Sequence, residues 1–143
     1  MAGPVHILKL SVGTESVEGL ERWQTRRQVR TAAGNPRHVT RMWPRREADL
    51  LDGGSIYWVI KGVVLARQRI VALEEVVRAD GVRRCGLVLD PHLTRTEPQP
   101  RRPFQGWRYL APEDAPRDLA PGRQAETPLP PRLAAALSEI GIL

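Results

Sequence analysis

The dipeptide Asp80-Gly81 separates two long β-forming runs, and it constrains the fold of this chain more than any other local feature. Both residues accept the positive φ that a two-residue hairpin turn demands. The runs on either side, Val63 to Ala79 and Val82 to Asp90, are therefore expected to pair antiparallel. A two-residue loop sets Ala79 against Val82, Val76 against Cys85, Glu74 against Leu87 and Ala72 against Leu89. Glu74 is then the one acid among apolar neighbours, placed either for acid–base chemistry or for pairing with Arg67 or Arg69. Upstream, Arg67 and Arg69 share a face with Val63, Leu65, Val71 and Leu73, a conflict that predicts a bulge or an exposed edge.

Alternation over Val5 to Val12 marks a first strand, with His6, Leu8, Leu10 and Val12 on one face and Val5, Ile7, Lys9 and Ser11 on the other. Ser16 caps a helix expected to run to about Ala33, where Gly34 supplies the left-handed stop. Val17, Leu20 and Trp23 form its apolar stripe, and Arg22, Arg26, Arg27 and Arg30 its exposed side. Arg37 to Met42 reads as a strand, and Pro44 opens a short helix through Leu51 that ends at Gly53-Gly54. Strands over Ser55 to Lys61 and from Val63 onward follow, joined by a tight turn near Gly62. After Asp90 the proline-rich chain is expected to be irregular except around Trp107 to Leu110. Residues 1–119 form one domain in this reading, and 120–143 a proline-rich linker with a closing helix from Pro131 to Ile140 packed on or near it.

At 143 residues the chain buries roughly 70% of its unfolded surface, enough for a real core. Eight arginines and no acid fall between Arg22 and Arg46, and the net charge is +6. Such a balance favours phosphate-bearing partners. Lysine occurs at Lys9 and Lys61 alone; arginine's planar fork suits phosphate and base edges, although a GC-rich genome yields the same bias. No apolar run approaches the roughly 20 residues needed to cross a bilayer. Cys85, being single, cannot form an intramolecular disulfide, and the first residues lack a secretion signal, so a cytoplasmic location is expected. His6, His38 and His92 lie far apart, which leaves no zinc spacing and no Cys-His nucleophile pattern. No metal or other cofactor is expected, and the sequence does not set an oligomeric state.

The order strand, helix, strand, short helix, glycine turn and long hairpin resembles the PUA-like superfamily, which includes the ASCH and EVE domains. Three segments, HVTRMWPRR at His38 to Arg46, LLDGGSIYWVIKG at Leu50 to Gly62 and RRPFQGWRYL at Arg101 to Leu110, are similar to an uncharacterised group of short alphaproteobacterial proteins. The resemblance implies an α+β fold: a small mixed β-barrel of about five to six strands with about two to three flanking helices. It also implies recognition of RNA or a modified base. In catalytically active ASCH proteins the turn matching Gly53-Gly54 bears a lysine directly after a glycine; here Gly54 stands in that place, which puts an inherited amidohydrolase mechanism in doubt.

A base-binding pocket needs flat apolar surface together with a few donors and acceptors. The candidates are Trp43, Tyr57, Phe104 and Trp107 for stacking, and His38, Thr40, Ser55 and Lys61 for a base edge. Arg41, Arg45, Arg46, Arg67, Arg69, Arg101 and Arg102 are the candidates for phosphate. Trp58 joins Ile56 and Ile60 on the opposite face of its strand from Tyr57 and is expected in the core. Trp43, Tyr57 and Arg41 are expected to converge beside Gly53-Gly54. Binding of RNA or a modified nucleotide is the leading expectation. A small amidohydrolase of modified nucleosides using Glu74, Lys61 and Ser55 is one alternative, and a module that docks an acidic protein is another.

Overall fold

The computed structural model describes residues 4–11, 13–26, 30–102, 104 and 106–119. The linker and closing helix expected over 120–143 lie outside them, as does Arg27. The elements are β1 (His6–Leu10), α1 (Val17–Gln24), β2 (Arg37–Thr40), α2 (Glu47–Leu51), β3 (Ser55–Ile60), β4 (Val63–Val77), β5 (Arg83–Leu89), β6 (Thr94–Pro100) and β7 (Trp107–Leu110). They form a mixed α+β protein around one sheet of order β2-β5-β4-β3-β1-β7, with β6 also on β4. The β1–β3 pair is parallel, and the remaining ladders are antiparallel.

The expected closed barrel is not formed. The sheet curls far enough that His38 on β2 meets Trp58 on β3 edge to face at 5.3 Å, although β5 and β4 lie between them in the strand order. Its two end strands nevertheless share no ladder. Side chains bridge the seam instead: the Trp107 indole N–H donates to the Met42 carbonyl at 3.2 Å, and the Arg46 backbone N–H donates to the Tyr109 hydroxyl at 3.0 Å. β2 stops at Thr40, four residues before Pro44, which has no N–H to offer a ladder.

The β4–β5 hairpin differs from expectation by one residue. Val76 faces Arg84, Glu74 faces Gly86 and Leu73 faces Leu87. Gly81 has φ +75° but Asp80 does not enter the positive region, so the two-residue turn cannot form. The Gly81 N–H reaches the Arg78 carbonyl, and the Asp80 carboxylate accepts the Val82 N–H, making a longer loop that moves the register. The tight turn with both central residues at positive φ lies at Lys61 (51°) and Gly62 (79°), between β3 and β4.

Two bulges in β4, at Val64/Ala66 against β6 and Ile70/Ala72 against β5, resolve the conflict read in its sequence. They shift the alternation so that Ala66, Ile70 and Leu73 reach the main core while Arg67 and Arg69 turn to the other face. That main core holds Ile7, Val17, Leu20, Leu50, Ile56, Trp58, Ile60 and Leu87 under the two helices. A smaller cluster of Leu8, Tyr57, Val59, Val64 and Leu110 occupies the opposite face, with Phe104 and Ala115 against it.

α1 ends at Gln24 rather than near Ala33. Gln24 and Gln68, both buried, exchange amide hydrogen bonds at 2.8 and 2.7 Å. Gln68 also accepts from the Trp58 indole at 3.0 Å and donates to the Asp90 carbonyl at 2.9 Å. Ser16 caps α1 as expected, accepting the Gly19 N–H. α2 runs only from Glu47, its cap residue Arg46 making no side-chain cap.

The segment expected to be irregular supplies β6, which pairs with β4 from Val63 to Arg67. Its prolines, Pro98 and Pro100, fall where the ladder skips or ends, which removes the cost of their missing N–H. On the outer side of β6 the chain returns: Glu97 N–H donates to the Arg117 carbonyl and Leu119 N–H to the Arg95 carbonyl. Residues 111–116 therefore cross the second face of the sheet between β7 and the far side of β6, through a short turn at Pro112–Asp114.

Candidate functional site

Where that crossing passes the end of β3 it leaves a cleft of about 420 Å³. One wall is the sheet, through His6 of β1, Ser55 and Tyr57 of β3 and Arg67 of β4, and the other is the crossing segment, through Pro112, Ala115, Pro116, Arg117 and Asp118. Ser55, Tyr57 and Arg67 share this face because β3 pairs Ser55 with Arg69 and Tyr57 with Arg67, and residues opposite each other project to one side. Arg67 organises the cleft. Its Nε and Nη2 donate to the two Asp118 carboxylate oxygens at 2.7 and 2.8 Å, and its Nη1 donates to Ser55 Oγ at 3.1 Å. His6 accepts the Ser55 backbone N–H through Nδ1 at 3.0 Å and packs edge-on against Tyr57, centroids 5.0 Å apart.

These contacts set the protonation states. Burial, helped by the nearby Arg67 charge, holds His6 below the usual imidazole range. With Nδ1 accepting, the neutral ring carries its proton on Nε2. Burial also raises the Tyr57 phenol, a shift that Arg67 opposes and Asp118 reinforces. The hydrogen bonds from Arg67 keep the Asp118 carboxyl below its ordinary value.

A family model described as "Protein of unknown function (DUF1489)" matches residues 7–143. The chain belongs to the DUF1489 family. No curated protein and no solved structure matches it. The three motifs singled out in the sequence all fall within the span of the family match. Two of them meet at the seam of the sheet, HVTRMWPRR through Met42 and Arg46 and RRPFQGWRYL through Trp107 and Tyr109.

Of the residues expected at a ligand site, Ser55, Tyr57 and Arg67 line the cleft beside Gly53, while Trp43 and Arg41 do not. Trp43 packs on the main core from the other face, with the Arg83 guanidinium 4.2 Å above its ring and its indole N–H on Glu47. Trp107 is buried at the seam. Phe104 belongs to the smaller cluster and lies under Arg108. Arg101 is turned back onto Gln99, Arg46 pairs with Asp49, and Arg102 is exposed. Glu74 pairs with Arg37 at 2.6 Å, not with Arg67 or Arg69. Lys61 sits in the β3–β4 turn near Glu15, so Glu74, Lys61 and Ser55 have three separate sets of partners. Thr40 ends β2 opposite Cys85, whose buried thiol is pushed up to about 11. Among the described residues no cluster of His, Cys, Asp and Glu is placed to hold a metal, and no helix is long and apolar enough to cross a membrane.

His6, Arg117 and Asp118 were not singled out as site residues. The alternation of β1 puts His6 on the face it occupies, but nothing local shows that Ser55 would come to it. Asp118 reaches Arg67 only because the irregular 111–119 segment crosses the sheet.

His38 has a different role. Its Nε2 is buried without a hydrogen-bond partner among the described residues. Burial, and then the Lys9 charge, lowers its pKa to about 4. The unfolded chain takes up this proton near the usual imidazole value while the folded chain does not. Stability should therefore be fully present above about pH 6.5 and fall, on the order of 3 kcal/mol, as the pH drops towards 4. Urea midpoints measured across that window should fall less steeply for His38→Gln than for the wild type.

Proposed function

We propose that the protein binds RNA or a nucleotide, with a base in the cleft beside Tyr57 and the phosphate chain along exposed arginines. The observation that carries this reading is the convergence of Ser55, Tyr57, Arg67, His6 and Asp118 on one cleft, a few placed polar groups beside an aromatic wall. The charge distribution supports it. Arg69 stands on the same sheet face as Arg67, and it, Arg41 and Arg45 are exposed and outside every ion pair found among the described residues. Such groups are available to phosphate oxygens, which position a strand without reading its sequence. Binding is favoured over turnover because Glu74, Lys61 and Ser55 have separate partners, and because residue 54 is glycine.

Titration of a labelled single-stranded RNA, followed by anisotropy, tests the reading. Affinity should fall by roughly 0.7 log unit per log unit of salt for each phosphate contacted. Arg67→Ala should weaken binding by about 1.5–3 kcal/mol through lost charge-assisted hydrogen bonds, with the melting curve checked to show that the variant is folded. A flat salt response together with wild-type affinity in Arg67→Ala would overturn both parts of the proposal.

A further inference from the structure

On the sheet wall of the cleft the one positive charge is cancelled by a carboxylate from the crossing segment. Arg67 is the one cation on its sheet wall, and the Asp118 carboxylate meets it side-on through both oxygens, at 2.7 and 2.8 Å. His6 is neutral, with its Nδ1 engaged by the Ser55 N–H. Ser55 and Tyr57 are uncharged, as are Gly53, Pro112, Ala115 and Pro116. Arg117, on the crossing segment, is exposed and lines the opposite wall, where it adds a second positive charge.

Hydrogen-bonding capacity remains where charge does not. A guanidinium has five N–H donors; the contacts to Asp118 and Ser55 use three, so five less three leaves two on Arg67. His6 Nε2–H and the Tyr57 hydroxyl add donors, and each Asp118 oxygen keeps a lone pair to accept with. A phosphate offers mainly acceptors and brings negative charge, and it would approach Arg67 past the carboxylate that already fills the guanidinium fork. The edge of a nucleobase offers donors and acceptors together and carries no charge.

We propose that this cleft takes an uncharged polar ring, a nucleobase or nucleoside, and rejects free phosphate. The proposal deepens the nucleotide-binding reading and rests on it. Asp118 is then a specificity-determining residue: it neutralises the one strong anion-binding group on the sheet wall of the cleft and supplies an acceptor for a ring N–H.

The test is a titration of the isotope-labelled full chain with the four ribonucleosides, their 5′-monophosphates and inorganic phosphate at matched ionic strength, followed by NMR at the amides of His6, Ser55, Tyr57 and Arg67. At least one nucleoside should shift these amides, and its monophosphate should bind within about threefold of it, a difference under about 1 kcal/mol. Millimolar inorganic phosphate should not compete. Asp118→Asn leaves Arg67 uncompensated, so phosphate should become a competitor and the monophosphate should gain about tenfold over the nucleoside. Competition by phosphate in the wild type, or a monophosphate preferred tenfold or more there, would overturn the proposal in favour of an anion site. If no probe shifts these amides while a single-stranded RNA still binds, the base-in-cleft proposal falls and the arginine surface stands. If the RNA fails as well, the nucleotide-binding reading itself falls.

Discussion

Gly54→Ala should cost about 3 kcal/mol or more and lower the melting temperature by roughly 10 °C. A Cβ at this position would lie 2.3 Å from the Val5 carbonyl oxygen and 2.4 Å from the Leu50 carbonyl oxygen, both of them backbone atoms. Neither can retreat easily. Gly54 N–H donates to that same Leu50 carbonyl, and the Val5 N–H is bonded to Asp49, so α2, β1 and the start of β3 are fixed against one another here. The neighbouring Gly53→Ala is the control. It has open space around it but φ +91°, so the expected cost is the left-handed strain of about 1–2 kcal/mol. Thermal or urea unfolding of the two variants separates a steric clash from a conformational penalty. The clash that excludes alanine excludes any larger side chain as well.

Gln68→Leu should be nearly as damaging, at about 3–5 kcal/mol by urea unfolding. The change keeps roughly the same volume but removes four hydrogen bonds. The Trp58 indole N–H and both ends of the Gln24 amide lose a partner in a buried setting, and the Asp90 carbonyl loses one in a partly buried setting. Unsatisfied buried groups cost more than the bonds that satisfied them were worth. A Gln24→Leu, Gln68→Leu double variant should therefore recover part of the loss, because the orphaned Gln24 amide disappears. The double-mutant cycle reads that coupling directly.

The strands and their faces were legible wherever alternation was clean. Trp58 went to the core and Tyr57 to the cleft side because adjacent strand residues point opposite ways, and the conflict between arginines and valines in β4, which called for a bulge or an exposed edge, is met by bulges. Local patterns failed where one particular side-chain bond, or a contact distant in sequence, decided the outcome. Asp80-Gly81 has the composition of a two-residue turn, yet the Asp80 side chain preferred the Val82 N–H, and the register moved by one. The prolines of β6 argued against a strand, and they are tolerated because Pro98 falls where the ladder skips and Pro100 in its end pair, opposite Val63. Gln24 and Gln68 carry no local sign of their pairing, which spans 44 residues of sequence. Half of the candidate site was readable for the same reason. Ser55, Tyr57 and Arg67 lie on regular strands, whereas Asp118 arrives on a segment with no periodicity to read.

The seam between β2 and β7 bears on how the protein avoids sticking to copies of itself. An open sheet ordinarily presents two rows of unpaired backbone groups that a stray strand can extend into an aggregate, and a barrel removes that hazard by closing its ladder. Here each end strand is only four residues long, and the loop that leaves one of them is fastened across the other by Trp107 and Tyr109. Two side-chain clasps thus give an unclosed sheet much of the protection of a closed one, and Trp107 and Tyr109 serve as guards against misassembly.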